Sequence, residues 1–220
     1  MTRPLAELES EEDAWPDIEA AAGAAGRMRV LPAARADGER VLLALQVTTR
    51  SPLGAVALHA AALLVDDGWL TVLGAGGEDR PLTLAEPLGP GEPPDPALGT
   101  IVAHDAVGGF FVLDDGSLAG ERGEVVYLAP DTLEWERTEL GYGAWLDWAL
   151  TGPLDAFAAG LRWPSWREEV AALAPGTALH FAPPPWTAEG RDLAAASRSA
   201  VPVRELWSLA HDFRRQLGIG

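Results

Sequence analysis

The stretch that decides the fold is residues 100–137, which read TIVAHDAVGGFFVLDDGSLAGERGEVVYLAPDTLEWER. Gly-rich and Pro-Asp segments break this stretch into apolar runs of strand length, at 100–103, 109–113, 124–128 and 132–137. In the last run Leu133 and Trp135 alternate with polar residues, so one face of that strand is expected to meet solvent. Because parallel sheets are usually covered on both faces, this alternation predicts an antiparallel sheet.

The segments on either side predict further strands and helices. Upstream, Asp66-Asp67-Gly68 suits the positive φ angles of a tight turn, and it joins apolar runs at 54–65 and 69–73 into a predicted hairpin. Before the hairpin we expect helices over 15–22 and 39–46, with a short strand over 28–31 between them. After residue 141 the apolar spacing becomes helical, and it predicts helices over 142–150, 153–161, 164–174 and 202–217.

The sequence thus predicts an α+β fold, with a central antiparallel, twisted sheet, N-terminal helices and a C-terminal helical layer. The 220 residues suffice for one large domain or two small ones. Residues 74–99 mix Gly with Pro without periodicity, which indicates a surface loop or a linker. We expect a loop within a single domain spanning 1–220, because each flank alone offers too few strands for a core.

The charge balance is strongly acidic. Asp and Glu number 33 against 16 Lys and Arg, which gives a net charge of −17, and residues 1–20 hold much of the excess. Such a chain repels nucleic acid, so we expect no nucleic-acid partner. An acidic face can attract a basic protein partner, although the same charge also serves solubility. The oligomeric state stays open.

Missing residue types exclude several chemistries. The chain has no Cys and no Lys, which excludes disulfides, thiolate zinc sites, a Cys nucleophile and Schiff-base catalysis. Its four His show no metal-ligand spacing and no nucleotide fingerprint is present, so we expect no metal and no cofactor. The N-terminus lacks the features of a signal peptide, and the longest apolar run, 53–65, is too short to span a bilayer. We therefore expect a cytoplasmic protein without membrane contact.

One adjacent pair of a His and a carboxylate is a candidate for catalysis, His104-Asp105. A general base needs an orienting partner and a pocket, and the pair supplies the first of these. A turn at the end of a strand is the favoured interpretation, because no nucleophile elbow accompanies the pair. We therefore lean towards a protein that is not an enzyme.

Two polar segments are candidates for binding. Thr48-Thr49-Arg50-Ser51 interrupts an apolar stretch, which predicts either a helix end with a turn or a polar pocket in which Arg50 holds a carboxylate. Residues 186–198 combine Trp with Arg, the types that dominate binding interfaces, and Trp186 beside prolines is the best candidate for an exposed anchor. The candidate partner- or ligand-binding residues are Thr48, Thr49, Arg50, Ser51, Trp186, Arg191 and Arg198. The alternative function is therefore a small-ligand-binding protein or enzyme in which the Thr48–Ser51 segment converges with Arg191 and Arg198.

Distinctive segments are spread over nearly the full length. They are Asp13-Ala14-Trp15-Pro16, 45–55, Gly68-Trp69-Leu70, Gly108-Gly109-Phe110-Phe111, 127–133, Leu161-Arg162-Trp163-Pro164, 186–190, Ser197-Arg198 and Pro202-Val203. Through them the chain resembles uncharacterised bacterial domain-of-unknown-function family 2625. That resemblance supplies a family and no activity.

A second resemblance covers about residues 98–150. A strand, a Gly-Gly-aromatic strand, a Gly-rich loop, a strand ending in Tyr127 and a helix with Trp145-Leu146 follow one another in an order similar to that of the SUKH superfamily. The resemblance implies a SUKH-like α+β fold and an immunity protein that binds and neutralises a toxin. Together with the net charge, it makes a non-enzymatic protein-binding domain that neutralises a basic toxin the leading hypothesis.

Overall fold

The structure, a computed structural model, describes residues 2–80, 82–86 and 99–219. Its main element is a seven-stranded antiparallel sheet whose strands lie side by side in their order along the chain. The strands are β1 Met28–Pro32, β2 Ala60–Val65, β3 Leu70–Leu73, β4 Thr100–Asp105, β5 Phe110–Leu113, β6 Glu124–Leu128 and β7 Trp135–Gly141. The predicted α+β class with a central antiparallel sheet is confirmed, and the SUKH-like assignment stays a prediction.

Helices precede the sheet and follow it, as the sequence predicts. They are α1 Leu5–Leu8, α2 Trp15–Ala25, α3 Arg35–Leu45, α4 Pro52–His59, α5 Tyr142–Thr151, α6 Leu154–Phe157, α7 Trp166–Ala171 and α8 Val203–Leu217. An antiparallel ribbon of β8 Thr177–Ala182 and β9 Ser197–Pro202 lies between α7 and α8. The predicted hairpin between β2 and β3 turns through a 3₁₀ segment at Asp66–Gly68, in which all three φ angles are positive.

The two faces of the sheet have different coverings. Cross-strand pairing places one residue of each strand in a single row, which we call the central row: Arg29, Leu64, Thr71, His104, Phe110, Leu128 and Trp135. The ring of Trp207 from α8 packs edge-on against Phe110, with ring centroids 5.0 Å apart. On the opposite face, Phe111 contacts Trp145 of α5 at 5.2 Å. Helices therefore lie on both sides of the sheet, and α8 covers the Phe110 end of the central row.

The strand predicted over 54–65 is wrong in its first half, which is helix α4. Ser51 begins that helix by accepting a hydrogen bond from the Gly54 N–H (3.2 Å), and Pro52 occupies the first helical turn. A Cβ on Gly54 would lie 2.1 Å from the Thr48 carbonyl oxygen, so the close approach of the chain there requires glycine. Residues 54–58 are all buried, and an apolar run without a polar face does not distinguish helix from strand.

Two other elements begin three or more residues away from their predicted start. The helix expected over 39–46 begins at Arg35, so Asp37 lies in its first turn rather than before it. The strand expected over 132–137 begins at Trp135, because Leu133 has a φ of 58°, a left-handed conformation that interrupts a strand. The single domain with a loop at 74–99 stays a prediction, since residues 81 and 87–98 lie outside the described residues.

The turn between β4 and β5 is held by the buried carboxylate of Asp105. Its Oδ1 accepts hydrogen bonds from the N–H groups of Val107 (2.9 Å) and Gly109 (2.7 Å), and its Oδ2 accepts one from the Tyr127 hydroxyl (2.6 Å). Burial raises the pKa of Asp105, and these hydrogen bonds oppose the rise. The interpretation of His104-Asp105 as a strand-end turn is therefore confirmed.

We expect the substitution Gly109→Ala to destabilise the protein. A Cβ at this position would lie 2.3 Å from both Asp105 Oδ2 and the Tyr127 hydroxyl oxygen, so the hydrogen bonds of the turn must give way, at a cost of about 1–3 kcal/mol. Urea unfolding measures the change in the free energy of unfolding. The control is Gly23→Ala in α2, where nothing lies within 4 Å and helix propensity predicts a gain of about 0.5–1 kcal/mol. Equal stabilities of the two variants would contradict this role of the turn.

Candidate functional site

An open cavity of about 500 Å³ lies beside the β1–β4 part of the sheet, and we call it the sheet cavity. One wall comes from β1 to β4 with the β2–β3 turn, and the other from the end of α7 and the segment leading into β8. The residues lining it are 26–29, Leu64, 66–68, Thr71, Arg80, His104, Ala106, Val170, Ala171 and 173–177. Its volume is within the range of small-molecule sites, about 300–1,000 Å³.

Among the polar side chains that line this cavity, four are central to its chemistry. Thr71 on β3 and His104 on β4 are direct cross-strand partners, and Arg29 on β1 stands two strands from Thr71 in the same central row. At about 4.8 Å per strand, the backbones of Arg29 and His104 are about 14 Å apart, a gap that a long arginine side chain partly closes. Arg80, which follows β3, is the fourth of these groups.

The two arginines have no carboxylate partner among the described residues. Neither Arg29 nor Arg80 takes part in an ion pair within 4.0 Å, and neither guanidinium has a hydrogen bond to that part of the chain. Burial lowers the pKa of Arg80, the charge of Arg29 lowers it further, and Asp79 partly offsets both. The two guanidinium groups are therefore close enough to repel each other across the cavity.

His104 presents a hydrogen-bond acceptor to the same cavity. Its Nδ1 lies 3.1 Å from the backbone oxygen of Asp105, and because a carbonyl oxygen only accepts, Nδ1 must carry the proton. Burial lowers the pKa of His104 to about 4, with a smaller contribution from the charge of Arg80. The ring is thus neutral near pH 7, and Nε2 carries a lone pair. No hydrogen-bond donor among the described residues pairs with it.

His104 and Asp105 do not form a catalytic pair. Adjacent residues of a strand point to opposite faces of the sheet, so the imidazole lies on the cavity side and the carboxylate on the side of Tyr127. The sequence singled out the pair as a candidate but favoured a strand-end turn. Sequence reasoning missed Arg29 and Arg80 altogether, and the only available signal was a charged residue alternating with apolar ones in the predicted strand over 28–31.

The Thr48–Ser51 segment ties the N-terminal region to the helices beneath the sheet. Thr49 is fully buried; its N–H donates to the Leu8 carbonyl and its hydroxyl accepts from the Ser10 N–H (2.9 Å). Ser51 caps α4, its hydroxyl donating to the Thr48 carbonyl (2.9 Å), and Arg50 forms an exposed ion pair with Glu12 (2.7 Å). These contacts match the helix-end interpretation, and ligand binding by the segment stays a prediction.

The other predicted binding residues lie near the C-terminal elements. Trp186 is half-buried rather than exposed, because its ring packs on Phe213 of α8 at 4.9 Å. Arg198 pairs with Glu169 (2.7 Å) and stacks over Trp163 (5.0 Å), whereas Arg191 is exposed. None of the seven predicted binding residues lines the sheet cavity. Their role in binding stays a prediction.

Metal sites and membrane spans are both absent from the described part of the chain. No group of three or more His, Cys, Asp or Glu side chains there is arranged to hold a metal ion. Among the same residues, no helix has the length and apolar character needed to cross a bilayer.

Comparison with known proteins places nearly the whole chain in one group. The sequence model of a family described as "Protein of unknown function DUF2625" matches residues 5–206. The chain is 35% identical over 210 residues to the uncharacterized protein YbfG of Escherichia coli, covering 94% of each chain. It is 32% identical over 152 residues to an uncharacterized protein of Haemophilus influenzae, covering 68% of this chain and 67% of the relative. No solved structure matches significantly.

We expect protonation of His104 to weaken the fold. The pKa of His104 falls from 6.5 to about 4 on folding, so the unfolded chain binds the proton first. The neutral imidazole of His104 therefore stabilises the fold above pH 6.5. As the pH falls towards 4 the free energy of unfolding decreases by up to about 1.4 kcal/mol for each pH unit. His211 behaves in the same way. Urea unfolding from pH 7 to pH 4 should therefore show a steep loss of stability, and a shallower one in His104→Gln. An unchanged slope in that variant would contradict the buried neutral state.

Proposed function

The chain belongs to the DUF2625 family, and we propose that it binds a small anionic molecule in the sheet cavity. One observation carries the proposal: two arginines without carboxylate partners, Arg29 and Arg80, face the same cavity in a chain whose net charge is −17. The relatives supply no activity, since those from Escherichia coli and Haemophilus influenzae are themselves uncharacterised.

Nine arginines of the described residues form ion pairs with carboxylates, and Arg29 and Arg80 are among those that do not. Elsewhere arginines of the sheet and its surroundings find partners, as in Arg137 with Glu124 (2.8 Å) and Arg198 with Glu169 (2.7 Å). Holding two guanidinium groups near each other without an ion pair costs free energy, which a bound anion would recover through charge-assisted hydrogen bonds. The arrangement therefore favours binding of an anion that comes from outside the protein.

We expect small dianions to bind to the purified protein with a dependence on both arginines. Isothermal titration calorimetry with succinate, sulfate and inorganic phosphate measures the affinity. Arg29→Gln and Arg80→Gln should each weaken binding about tenfold or more, because each removes a charge-assisted contact worth about 1.5–3 kcal/mol.

Two arginines outside the cavity supply the controls. Arg122→Gln removes the same charge from an exposed loop position that does not line the cavity, and it should leave the affinity unchanged. Arg191→Gln tests the binding residues predicted from the sequence. Loss of binding in Arg191→Gln but not in Arg80→Gln would contradict the cavity and favour the sequence-based set.

A second function, recognition of a basic protein, has its own supporting observation. Five carboxylates near the N-terminus are exposed in the structure, namely Glu7, Glu11, Glu12, Asp17 and Glu19. We propose that this acidic surface binds a basic partner, which for an SUKH-like immunity protein would be a toxin. Electrostatic attraction of this kind steers association and is screened by salt.

The acidic surface predicts salt-sensitive binding to a basic protein encoded by a neighbouring gene. Affinity should fall steeply as the ionic strength rises from about 0.05 to 0.5 M, because the Debye length shortens severalfold. Glu7→Gln combined with Glu11→Gln and Asp17→Asn should weaken the interaction, while Arg80→Gln should leave it unchanged. Binding that is insensitive to salt and to the triple substitution would contradict this function.

A further inference from the structure

We propose that the ligand of the sheet cavity is an anion that also carries a hydrogen-bond donor, which it gives to His104 Nε2. This inference rests on the proposed binding of an anion and specifies its chemical class. Two kinds of small molecule share this chemistry: a hydroxy-carboxylate, whose donor is its hydroxyl group, and an oxyanion that keeps a proton, such as monohydrogen phosphate.

The orientation of His104 is fixed by the backbone rather than by the ligand. Nδ1 donates to the Asp105 carbonyl at 3.1 Å, and turning the ring over would break that bond. The carbonyl itself is held in place, because the Asp105 side chain is locked by Val107, Gly109 and Tyr127. Nε2 therefore has a fixed orientation at the wall of the cavity before any ligand binds, and it acts as a hydrogen-bond acceptor.

The polar groups of the cavity complement one particular pattern on a ligand. The guanidinium groups of Arg29 and Arg80 only donate, the Thr71 hydroxyl donates or accepts, and neutral Nε2 only accepts. A fully deprotonated anion would satisfy the arginines but would place a lone pair against the lone pair of Nε2. A ligand that lacks the matching donor would displace water from this acceptor and leave it unpaired, so the site discriminates against such an analogue.

The charges around His104 keep it in the accepting form. Arg80 opposes protonation of the ring, and Arg29 stands in the same row on the far side of Thr71. Asp66 and Asp67 of the β2–β3 turn also line the cavity, but Asp66 pairs with Arg162 and Asp67 with Arg167 (3.5 Å). Only acidification towards the low pKa of the ring would convert Nε2 into a donor.

Matched pairs of ligands test the proposal by calorimetry at pH 7.5. Malate and succinate differ by one hydroxyl group, and monohydrogen phosphate and sulfate differ in whether a proton remains. We expect the donor-bearing member of at least one pair to bind about tenfold or more tightly. The pair that shows the preference identifies the carboxylate or the phosphate source. Replacing His104 by Phe should abolish the preference, while His104→Gln, whose amide oxygen can accept, should retain part of it.

The outcomes separate this inference from the proposed function. Equal affinities within both pairs would overturn the inference and leave anion binding standing, whereas no binding of any of the four ligands would overturn both. If His104→Phe does not fold, His104→Leu, which also lacks an acceptor and is smaller, gives the same answer. A preference that persists in that variant would count against the inference, because position 104 would then offer no acceptor to the ligand donor.

Discussion

The edge-on contact between Trp207 and Phe110 is the interaction on which the rest of the architecture depends. It seats α8 over one end of the central row, and His211 in the next turn of the helix packs against the same indole at 4.3 Å. Because α8 covers only that end, the other end of the row, from Arg29 to His104, lines the sheet cavity instead. This face of the sheet therefore has an apolar half under α8 and a half with polar side chains that lines the sheet cavity.

The far wall of the sheet cavity is fixed by a cluster of aromatic rings and one buried cation. The guanidinium of Arg162 lies over the rings of Trp69 (4.8 Å) and Trp166 (4.1 Å) and pairs with Asp66. This cluster joins α7 to the β2–β3 turn, and it therefore fixes the distance between the two walls of the cavity. Arg29, Arg80 and His104 take no part in the cluster. Cation–π contacts of this kind are worth about 2 kcal/mol when desolvated.

The parts of the fold that sequence predicted are those with a distinct local pattern. The strands within 100–137 have alternation and turn residues, and Asp66-Asp67-Gly68 has the chemistry of a tight turn. Helix α4 was predicted as strand because burial on all sides removes its polar face. Strand β9 was missed because most of its residues are exposed and lack apolar alternation.

The cavity arginines could not be predicted, since their convergence depends on the register of four strands and on a segment without periodicity. The Thr48–Ser51 segment looked functional because its hydrogen-bonding partners lie far away in the sequence.

The strand order of the main sheet also bears on how the domain assembles. Each strand pairs with the one synthesised just before it, so the sheet can grow by addition at one edge as the polypeptide lengthens. Such a topology keeps the sequence separation between neighbouring strands low, a property associated with rapid folding. The indole that closes the apolar half comes from the last helix. The nascent sheet therefore exposes Phe110 until α8 has been synthesised and has packed on it, and this is the interval in which the sheet is most open to aggregation.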